Sequence, residues 1–396
     1  MARYSRTTIR TNTVIVGAGA AGLAIAACLR RHRVPLVVLE QNRDIGSAWL
    51  KRYERLHLHT HKNHSSLPYL SFPRNYPPYP SRLQFADYLE IYANKFRIEP
   101  RFDEKVRSIM RLGSVWSSRA KRSDYISRNL IIATGYSQKP VIPSLKGKTS
   151  FSGQILHSSA YKNGEPFSGQ NVLVVGCGNS GGEIAVDLHE HGAHVSMSIR
   201  GPVNVIPRDV LGVSSHRLSV MMRGLPTTVA DSLSAPLVQM SVGNLSDYGL
   251  QSAPKGPLTQ IKEDSRVPLL DIGTMKLIKD GHITVFNEID RIKENDVFFK
   301  SGDHKPFDAI VLATGFKHNV GSFFRDVNLV ADETGNITSS GRKTALPGLY
   351  FCGFHNAPYG FIREIGIEAK RIAHLIHRSD TSIPEEQQVG NEKENS

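Results

Sequence analysis

A nucleotide-binding pattern that occurs twice constrains the fold of this chain more than any other feature. The first copy spans Thr13–Gly22 and continues to Leu36–Glu40, and the second spans Asn171–Gly181 and continues to His194–Arg200. Each copy reads as an apolar strand, a GxGxxG turn, a helix and a second apolar strand, which is the dinucleotide-binding βαβ unit. The sequence therefore predicts an α/β fold with two Rossmann-like, dinucleotide-binding domains.

Three glycines in each copy are predicted to shape a cofactor site. The first permits a tight turn from strand to helix, the second lets a pyrophosphate approach the backbone, and the third lets helix and strand pack closely. The free N–H groups at the start of the helix then face the phosphates. These predicted cofactor-binding glycines are Gly17, Gly19 and Gly22 in the first copy, and Gly176, Gly178 and Gly181 in the second.

The two copies end in residues of opposite charge, which predicts two different dinucleotides. Glu40 closes the first unit, where a carboxylate can accept hydrogen bonds from both ribose hydroxyls of an FAD adenosine. Arg200 closes the second, where a guanidinium can grip the 2′-phosphate of NADPH that a carboxylate would repel. The alternative for Arg200 is a solvated charge at a strand end.

Charge and cysteine content narrow the possible functions. The 396-residue chain has a net charge of +13, but its basic residues are scattered and no nucleic-acid-binding motif accompanies them, so no nucleic-acid partner is predicted. Cys28, Cys177 and Cys352 form no CxxC motif, which argues against a dithiol redox centre. Few cysteines and no secretory signal predict a cytoplasmic protein, and no apolar run is long enough to predict a membrane span.

Two similar strand-to-turn segments suggest that one domain is inserted into the other. Asn129–Gly135 and Ala309–Phe316 are apolar strands that both run into Ala-Thr-Gly turns, and they flank the second nucleotide-binding copy. The chain would leave the FAD domain after the first turn and return to it around the second. The predicted divisions are 10–150 for the first part of the FAD domain, 151–305 for the NADPH domain with a helical segment at 210–269, 306–380 for the second part of the FAD domain, and 381–396 for a disordered polar tail.

A third motif connects the two units. Phe151–Tyr161 fits the pattern FxGxxxHxxxY, and with the glycine-rich turns it makes the chain resemble the class B flavin-containing monooxygenases over nearly its whole length. Within that family the chain is most similar to the plant YUCCA group and related short bacterial enzymes, on the stretches His157–Gly164, Val174–Gly181 and Asp271–Thr274. It departs from the usual family sequence at Leu56–Ser65 and at Gly182, which concerns the substrate more than the reaction.

The resemblance implies an NADPH- and O2-dependent FAD monooxygenase that forms a C4a-(hydro)peroxyflavin and inserts one oxygen atom into a small organic substrate. Oxidative decarboxylation of an α-keto acid such as indole-3-pyruvate is the expected reaction. The alternatives are oxygenation of a soft nitrogen or sulfur centre, and an NADPH oxidase or pyridine nucleotide–disulfide-type reductase without oxygen transfer. A non-catalytic nucleotide sensor or RNA-binding protein is a further alternative. A monomer or homodimer is expected.

The resemblance also implies site residues. An alignment on Leu67-Pro68 places His59 and Lys62 beside the flavin C4a as candidate catalytic residues, and His157 at the hinge between domains in a structural role. The closing strand at Gly348–Phe354 and a helix from about Glu364 to His377 are expected near the flavin. The remaining implied cofactor-binding residues are Trp49, Asn179, Ser180, Thr314, Gly315 and Gly353.

Four histidines in one short segment raise the question of a metal site. If the segment is a strand, as the alternation suggests, three of these side chains share one face, but no carboxylate or cysteine joins them. A strand that lines a pocket is the favoured interpretation, and no metal is predicted. The four residues are His57, His59, His61 and His64.

Overall fold

A computed structural model describes residues 6–210 and 212–381 and contains two main sheets. In the first, a parallel core is extended by an antiparallel meander, with the order β2-β1-β5-β4-β3 and β20 paired to β5. β1 begins earlier than the predicted Thr13, because Thr8 already pairs with Asp124. The strands are β1 (Thr8–Val16), β2 (Leu36–Leu39), β3 (Ser108–Leu112), β4 (Val115–Arg119), β5 (Asp124–Ile132) and β20 (Leu349–Phe351).

The second sheet is entirely parallel, with the order β14-β9-β8-β18-β7. Parallel pairing with helical connections is the arrangement that the repeated βαβ pattern predicts. Its strands are β7 (Gln154–His157), β8 (Asn171–Val175), β9 (His194–Ser198), β14 (Ile283–Phe286) and β18 (Ala309–Leu312).

The position of β18 corrects one predicted boundary. Residue 306 was the expected point of return to the FAD domain, but β18 pairs with both β8 and β7 in the second sheet. The chain next joins the first sheet at β20, where Leu349 pairs with Leu130 of β5. The second Ala-Thr-Gly turn therefore ends a strand of the second sheet, and the expected return at 306 is too early.

Short strands and helices complete the described part. The minor strands are β6 (Lys139–Pro140), β10 (Val205–Pro207), β11 (Asp209–Val210), β12 (Val213–Ser214), β13 (Leu269–Asp271), β15 (Ile289–Lys293), β16 (Asp296–Phe299), β17 (His304–Pro306) and β19 (Phe316–Lys317). The α-helices are α1 (Ala20–Arg31), α2 (Ser47–Leu50), α3 (Arg82–Lys95), α4 (Asn179–Glu190), α5 (Ser215–Met221), α6 (Thr227–Val242), α7 (Pro257–Asp264), α8 (Thr274–Lys279) and α9 (Phe361–Thr381).

Helices α5, α6 and α7 lie in the segment predicted to be helical, 210–269, and α9 includes the predicted helix near Glu364. Among the helices of the described residues, none combines the length and apolar character needed to cross a bilayer. Apart from residue 381, the segment 381–396 that was predicted to be a disordered tail lies outside the described residues.

The core places each nucleotide-binding helix directly under its glycine turn. α1 is buried from Ala20 to Leu29, and its small side chains let α9 pack closely against it. α4 is likewise buried from Gly181 to Leu188 in the core of the second sheet. The N-termini of both helices are thereby fixed at the carboxyl ends of parallel strands, where α/β proteins bind ligands.

Candidate active site

The first glycine of each fingerprint makes a turn that other residues cannot adopt. Gly17 has φ +108° and Gly176 has φ +111°. A Cβ on Gly17 would lie 2.6 Å from the Ala133 carbonyl oxygen, and one on Gly176 would lie 2.7 Å from that of Ala313. Each Ala-Thr-Gly segment therefore abuts the first glycine of one nucleotide-binding turn, which gives the two similar segments the same structural function.

The third glycine of each fingerprint allows close packing, and the second leaves open space for a ligand. A Cβ on Gly22 would lie 1.8 Å from the Gly17 carbonyl oxygen, and a Cβ on Gly181 would lie 2.2 Å from that of Gly176, so both positions require close helix–strand packing. In contrast, a Cβ on Gly19 or on Gly178 would meet no atom within 4 Å. The open space lies at the helix N-terminus in both copies, where a dinucleotide pyrophosphate fits.

The two residues that were predicted to select the dinucleotide differ in their surroundings. Glu40 is buried at the end of β2 and accepts hydrogen bonds from the backbone N–H of Ala18 (2.9 Å) and from both the backbone (2.9 Å) and side-chain amide (2.8 Å) of Asn42. Its carboxylate is thus held beside the first turn. Arg200 is exposed just beyond β9, where its guanidinium is accessible to a ligand.

The two polar residues at the start of α4 contact other elements of the protein. The side-chain oxygen of Asn179 accepts a hydrogen bond from the backbone N–H of Leu270 at 2.8 Å, which fixes β13 beside the turn. Burial raises the pKa of the Tyr53 phenol, and the Ser180 side chain, which lies close to that phenol, acts to lower it. Asn179 therefore shapes the turn through its side chain, and Ser180 connects the turn to the segment around Tyr53.

The FxGxxxHxxxY motif holds the second sheet together. A Cβ on Gly153 would lie 2.2 Å from the Asp308 carbonyl oxygen, so β7 can approach β18 only with glycine there. His157 Nε2 donates to the Gly315 carbonyl oxygen (3.1 Å), and the hydroxyl of Tyr161 donates to the buried Asp187 carboxylate (2.5 Å). Burial lowers the pKa of His157, which favours the neutral ring. These contacts agree with a structural role for His157.

The residues predicted at the second Ala-Thr-Gly turn and after the closing strand also lie at turns of the backbone. The Thr314 hydroxyl donates to the Val141 carbonyl oxygen at 2.5 Å, and Gly315 follows with φ +85°. Gly353 has φ +77°, and its N–H donates to the Glu368 carboxylate at 2.7 Å. A Cβ on Gly353 would lie 3.2 Å from that of Ala21, so this turn lies directly beside the start of α1.

Trp49, predicted to contact a cofactor, lies on the short helix α2. Its ring packs edge-on against Phe85 of α3, with ring centroids 4.5 Å apart. The side chain is half-buried at the edge of the first core. Packing against α3 therefore fixes the Trp49 ring while part of it stays accessible.

The histidine segment is a loop, so its interpretation as a pocket-lining strand is wrong. His57 forms one isolated bridge with Ser81, and Lys62–His64 is a single 3₁₀ turn that the His61 side chain caps by accepting from Asn63 N–H at 3.2 Å. Without a neighbouring strand the alternation places no side chains on a common face. Among the described residues, no group of three or more His, Cys, Asp or Glu is arranged to hold a metal ion.

His59 approaches a buried carboxylate that was not among the predicted site residues. Its Nε2 lies 3.2 Å from Oε2 of Glu183, without the alignment of a hydrogen bond. The Glu183 side chain is only 3% exposed, and the same oxygen accepts a 2.5 Å hydrogen bond from Tyr53. Glu183 and Asp187, one helical turn apart on α4, could have been found as two acids on a face where apolar residues are expected.

The Lys62 ammonium is engaged in hydrogen bonds to the protein backbone. Its ammonium donates to the backbone carbonyl oxygens of Tyr76 and, at 3.0 Å, of Arg74. Its backbone N–H donates to the Pro78 carbonyl oxygen at 2.8 Å. Lys62 therefore ties the histidine loop to the proline-rich segment, and these contacts give no support to a catalytic role.

The three cysteines do not form a redox pair in this fold. All three are free, and Cys28 and Cys352 are buried. Burial raises the pKa of the Cys28 thiol to about 11 and that of Cys177 to about 12, so neither is poised as a thiolate.

The chain matches one protein-family model and shares its fold with solved structures. A family model described as pyridine nucleotide-disulphide oxidoreductase matches residues 14–218. A flavin-containing monooxygenase from Stenotrophomonas maltophilia has the same fold, with a TM-score of 0.74 at 20% sequence identity, covering 94% of this chain and 99% of that chain.

Sequence relatives narrow the family further. The probable indole-3-pyruvate monooxygenase YUCCA9 of Arabidopsis thaliana is 42% identical over 322 residues, covering 79% of this chain and 76% of the relative. The indole-3-pyruvate monooxygenase YUCCA6 of the same plant is 38% identical over 389 residues, covering 94% of this chain and 92% of the relative. The predicted enzyme class and the predicted cofactors, FAD and NADPH, are thereby confirmed. The chain belongs to the YUCCA family of flavin-containing monooxygenases.

Proposed function

We propose that this monooxygenase oxidatively decarboxylates a small α-keto acid such as indole-3-pyruvate. The observation that carries the proposal is the 38% identity with an indole-3-pyruvate monooxygenase over 94% of this chain. In the reaction, one atom of O2 enters the product acid and the other leaves as water. The substrate carboxylate leaves as CO2, and NADPH with one proton supplies the two electrons and hydrogens that form the water.

Each dinucleotide has a set of residues suited to it. Open space at Gly19 and the carboxylate of Glu40 suit FAD, and open space at Gly178 and the exposed Arg200 suit NADPH. Bound FAD supplies hydride acceptance from NADPH and the activation of O2. The protein contributes binding, orientation and the exclusion of water.

We infer that the NADPH domain is inserted into the FAD domain. The support is the sheet topology, since β7 to β9, β14 and β18 form one sheet while β1 to β5 and β20 form the other. With β18 in the second sheet, the proposed second part of the FAD domain begins after Ala313 instead of at 306. Two buried cysteines agree with a reducing, cytoplasmic location, which stays a prediction, as does a monomer or homodimer.

His59 is the residue of the histidine loop that we propose for the chemistry. It reaches α4 of the nucleotide-binding unit through Glu183, while Tyr53 from the same segment shares that carboxylate. We propose that the His59 ring, held beside α4, donates a hydrogen bond to substrate oxygen as charge develops.

The test is product analysis with the purified, FAD-loaded enzyme, NADPH and O2. Indole-3-pyruvate and phenylpyruvate are compared with an amine and a sulfide of similar size, and NADPH use, product and H2O2 are each quantified. We expect arylacetate and CO2 in proportion to NADPH from the keto acids. If only the amine or the sulfide is oxygenated, the keto acid proposal is wrong and the substrate class is a soft nucleophile. NADPH use that yields only H2O2 with every compound would indicate an oxidase.

A further inference from the structure

A buried histidine on α5 has an unused polar atom. His216 is 7% exposed, and its Nε2 donates to the Tyr359 carbonyl oxygen at 2.8 Å. Its other ring nitrogen, Nδ1, is buried and has no hydrogen-bond partner among the described residues. A buried polar atom without a partner is disfavoured, so an unpaired nitrogen next to a candidate active site points to a ligand.

The backbone around His216 is built to hold the ring in place. Tyr359 and Gly360 immediately precede α9, and Gly360 has φ +99°. A Cβ on Gly360 would lie 2.5 Å from His216 Nε2, so a larger residue would displace the ring. The ring of His64 stands edge-on to that of His216, with centroids 5.7 Å apart, and His61 follows at 6.4 Å from His64. The histidine loop, α5 and the start of α9 therefore meet at one point.

The Arg363 guanidinium at this meeting point has no carboxylate paired with it among the described residues. Arg363, in the first turn of α9, is half-buried and forms no salt bridge in the described part of the chain. Burial lowers the pKa of His216 and of His64, and the nearby charge of Arg363 lowers both further. The acid that faces His61 is Asp209, whose carboxylate already accepts from Tyr79 and Arg208.

We propose that Arg363, His216 and His64 bind the carboxylate of the substrate. The inference rests on the proposed function, because an α-keto acid is the substrate class that brings a carboxylate into the site. The Arg363 guanidinium can bind a carboxylate through two parallel hydrogen bonds. The free N-terminal N–H groups of the 21-residue helix α9 add to the attraction for an anion.

Binding of the carboxylate is coupled to the uptake of a proton by His216. In the ligand-free protein the ring of His216 carries its proton on Nε2, because the Tyr359 carbonyl can only accept, and Nδ1 presents a lone pair. A carboxylate also presents only lone pairs, so a proton taken from solvent must join Nδ1 for the contact to form. Burial and the positive charge of Arg363 hold the His216 pKa down, and the carboxylate offsets that charge. Burial also lowers the pKa of His64 and His61, Arg217 lowers both further, and Lys62 lowers that of His61.

The first experiment measures binding to the FAD-loaded enzyme of an unreactive carboxylate, indole-3-acetate, and of its neutral analogue, indole-3-acetamide. Isothermal titration gives both affinities for the wild type and for Arg363→Gln. We expect the wild type to prefer the carboxylate, and Arg363→Gln to lose about 10- to 150-fold in carboxylate affinity, as for one charge-assisted contact, with little change for the amide. Arg223→Gln, which removes an exposed charge just after α5, is the matched control and should keep the preference.

The pH dependence of carboxylate affinity, measured in the wild type and in His216→Gln, tests the role of His216. Carboxylate affinity should rise as the pH falls in the wild type, and this rise should be lost in His216→Gln. If that variant fails to fold, Arg363→Gln alone decides the question. Equal binding of acid and amide by the wild type, or an unchanged preference in Arg363→Gln, would overturn the site even if keto acids are turned over. Selective carboxylate binding without keto acid turnover would support the site and contradict the proposed function.

Discussion

Gly178 and Gly176 lie in the same turn, but replacing each with alanine should have different effects. Gly178→Ala should weaken cofactor binding, and Gly176→Ala should lower stability. Gly178 has φ −92° and ψ −179°, which alanine adopts readily, and its Cβ would meet no protein atom within 4 Å. Gly178→Ala should therefore leave the free energy of unfolding unchanged or raise it by about 0.4–1 kcal/mol, because alanine gives the unfolded chain less conformational entropy than glycine does. The added methyl group occupies the space of the pyrophosphate, so the loss of about one charge-assisted hydrogen bond should weaken NADPH binding about 10- to 150-fold.

Gly176→Ala should behave in the opposite way. Its φ of +111° is unfavourable for alanine, and its Cβ would lie 2.7 Å from the Ala313 carbonyl oxygen. The cost should be more than about 1–2 kcal/mol of stability, since left-handed backbone and a backbone clash add. Thermal unfolding of the FAD-loaded enzyme without NADPH, and titration with NADP+, measure the two effects. If Gly178→Ala binds NADP+ like the wild type, or if both variants lose stability equally, the division of labour within the turn is wrong.

Three further substitutions test the NADPH site, the histidine loop and the FxGxxxHxxxY motif. Arg200→Ala should lower the NADPH-to-NADH ratio of kcat/KM about tenfold. This is the lower end of the range for a charge-assisted contact, because the guanidinium is exposed. An unchanged ratio would show that Arg200 does not bind the 2′-phosphate. Lys62→Met should lower stability by about 1 kcal/mol with an unchanged kcat, whereas a large loss of kcat in a folded protein would restore its catalytic assignment. Tyr161→Phe leaves Asp187 buried without its donor and should cost about 1.5–3 kcal/mol in urea unfolding, and a neutral effect would contradict the structural interpretation of the motif.

The sequence was sufficient to predict the nucleotide turns because their requirements are local. A glycine that must have positive φ, or that lies 1.8 Å from a backbone oxygen if given a Cβ, leaves a fixed pattern over a few residues. Ala309–Leu312 is a strand as predicted, but its assignment to the FAD domain failed because sheet membership depends on distant partners. In the structure, Ala133 and Ala313 occupy the same place against Gly17 and Gly176, so each Ala-Thr-Gly turn belongs to its own nucleotide unit.

The residues around the candidate substrate site could not be predicted in the same way. His64, His216 and Arg363 are far apart in the sequence, and only the folded chain brings them together. The four histidines of the loop suggested a strand, but strands need hydrogen-bonding neighbours and this segment has only one isolated bridge. Glu183 was missed although a carboxylate on the inward face of a buried helix is costly without partners, and so indicates a specific contact.

The placement of these residues suggests how the shared chemistry and the individual specificity are divided in this enzyme. The glycine turns and their helices, which we propose hold the two dinucleotides, depend on backbone geometry that tolerates little change. The loop that departs from the usual family sequence contacts α4 through His59 and α5 through His64. It therefore joins the nucleotide site to the proposed carboxylate site. Because this loop is fixed by Lys62 and not by a sheet, its side chains other than Lys62 and His59 can change without breaking strand pairing. Substrate choice should consequently follow the loop and the start of α9, while the reaction follows the two fingerprints.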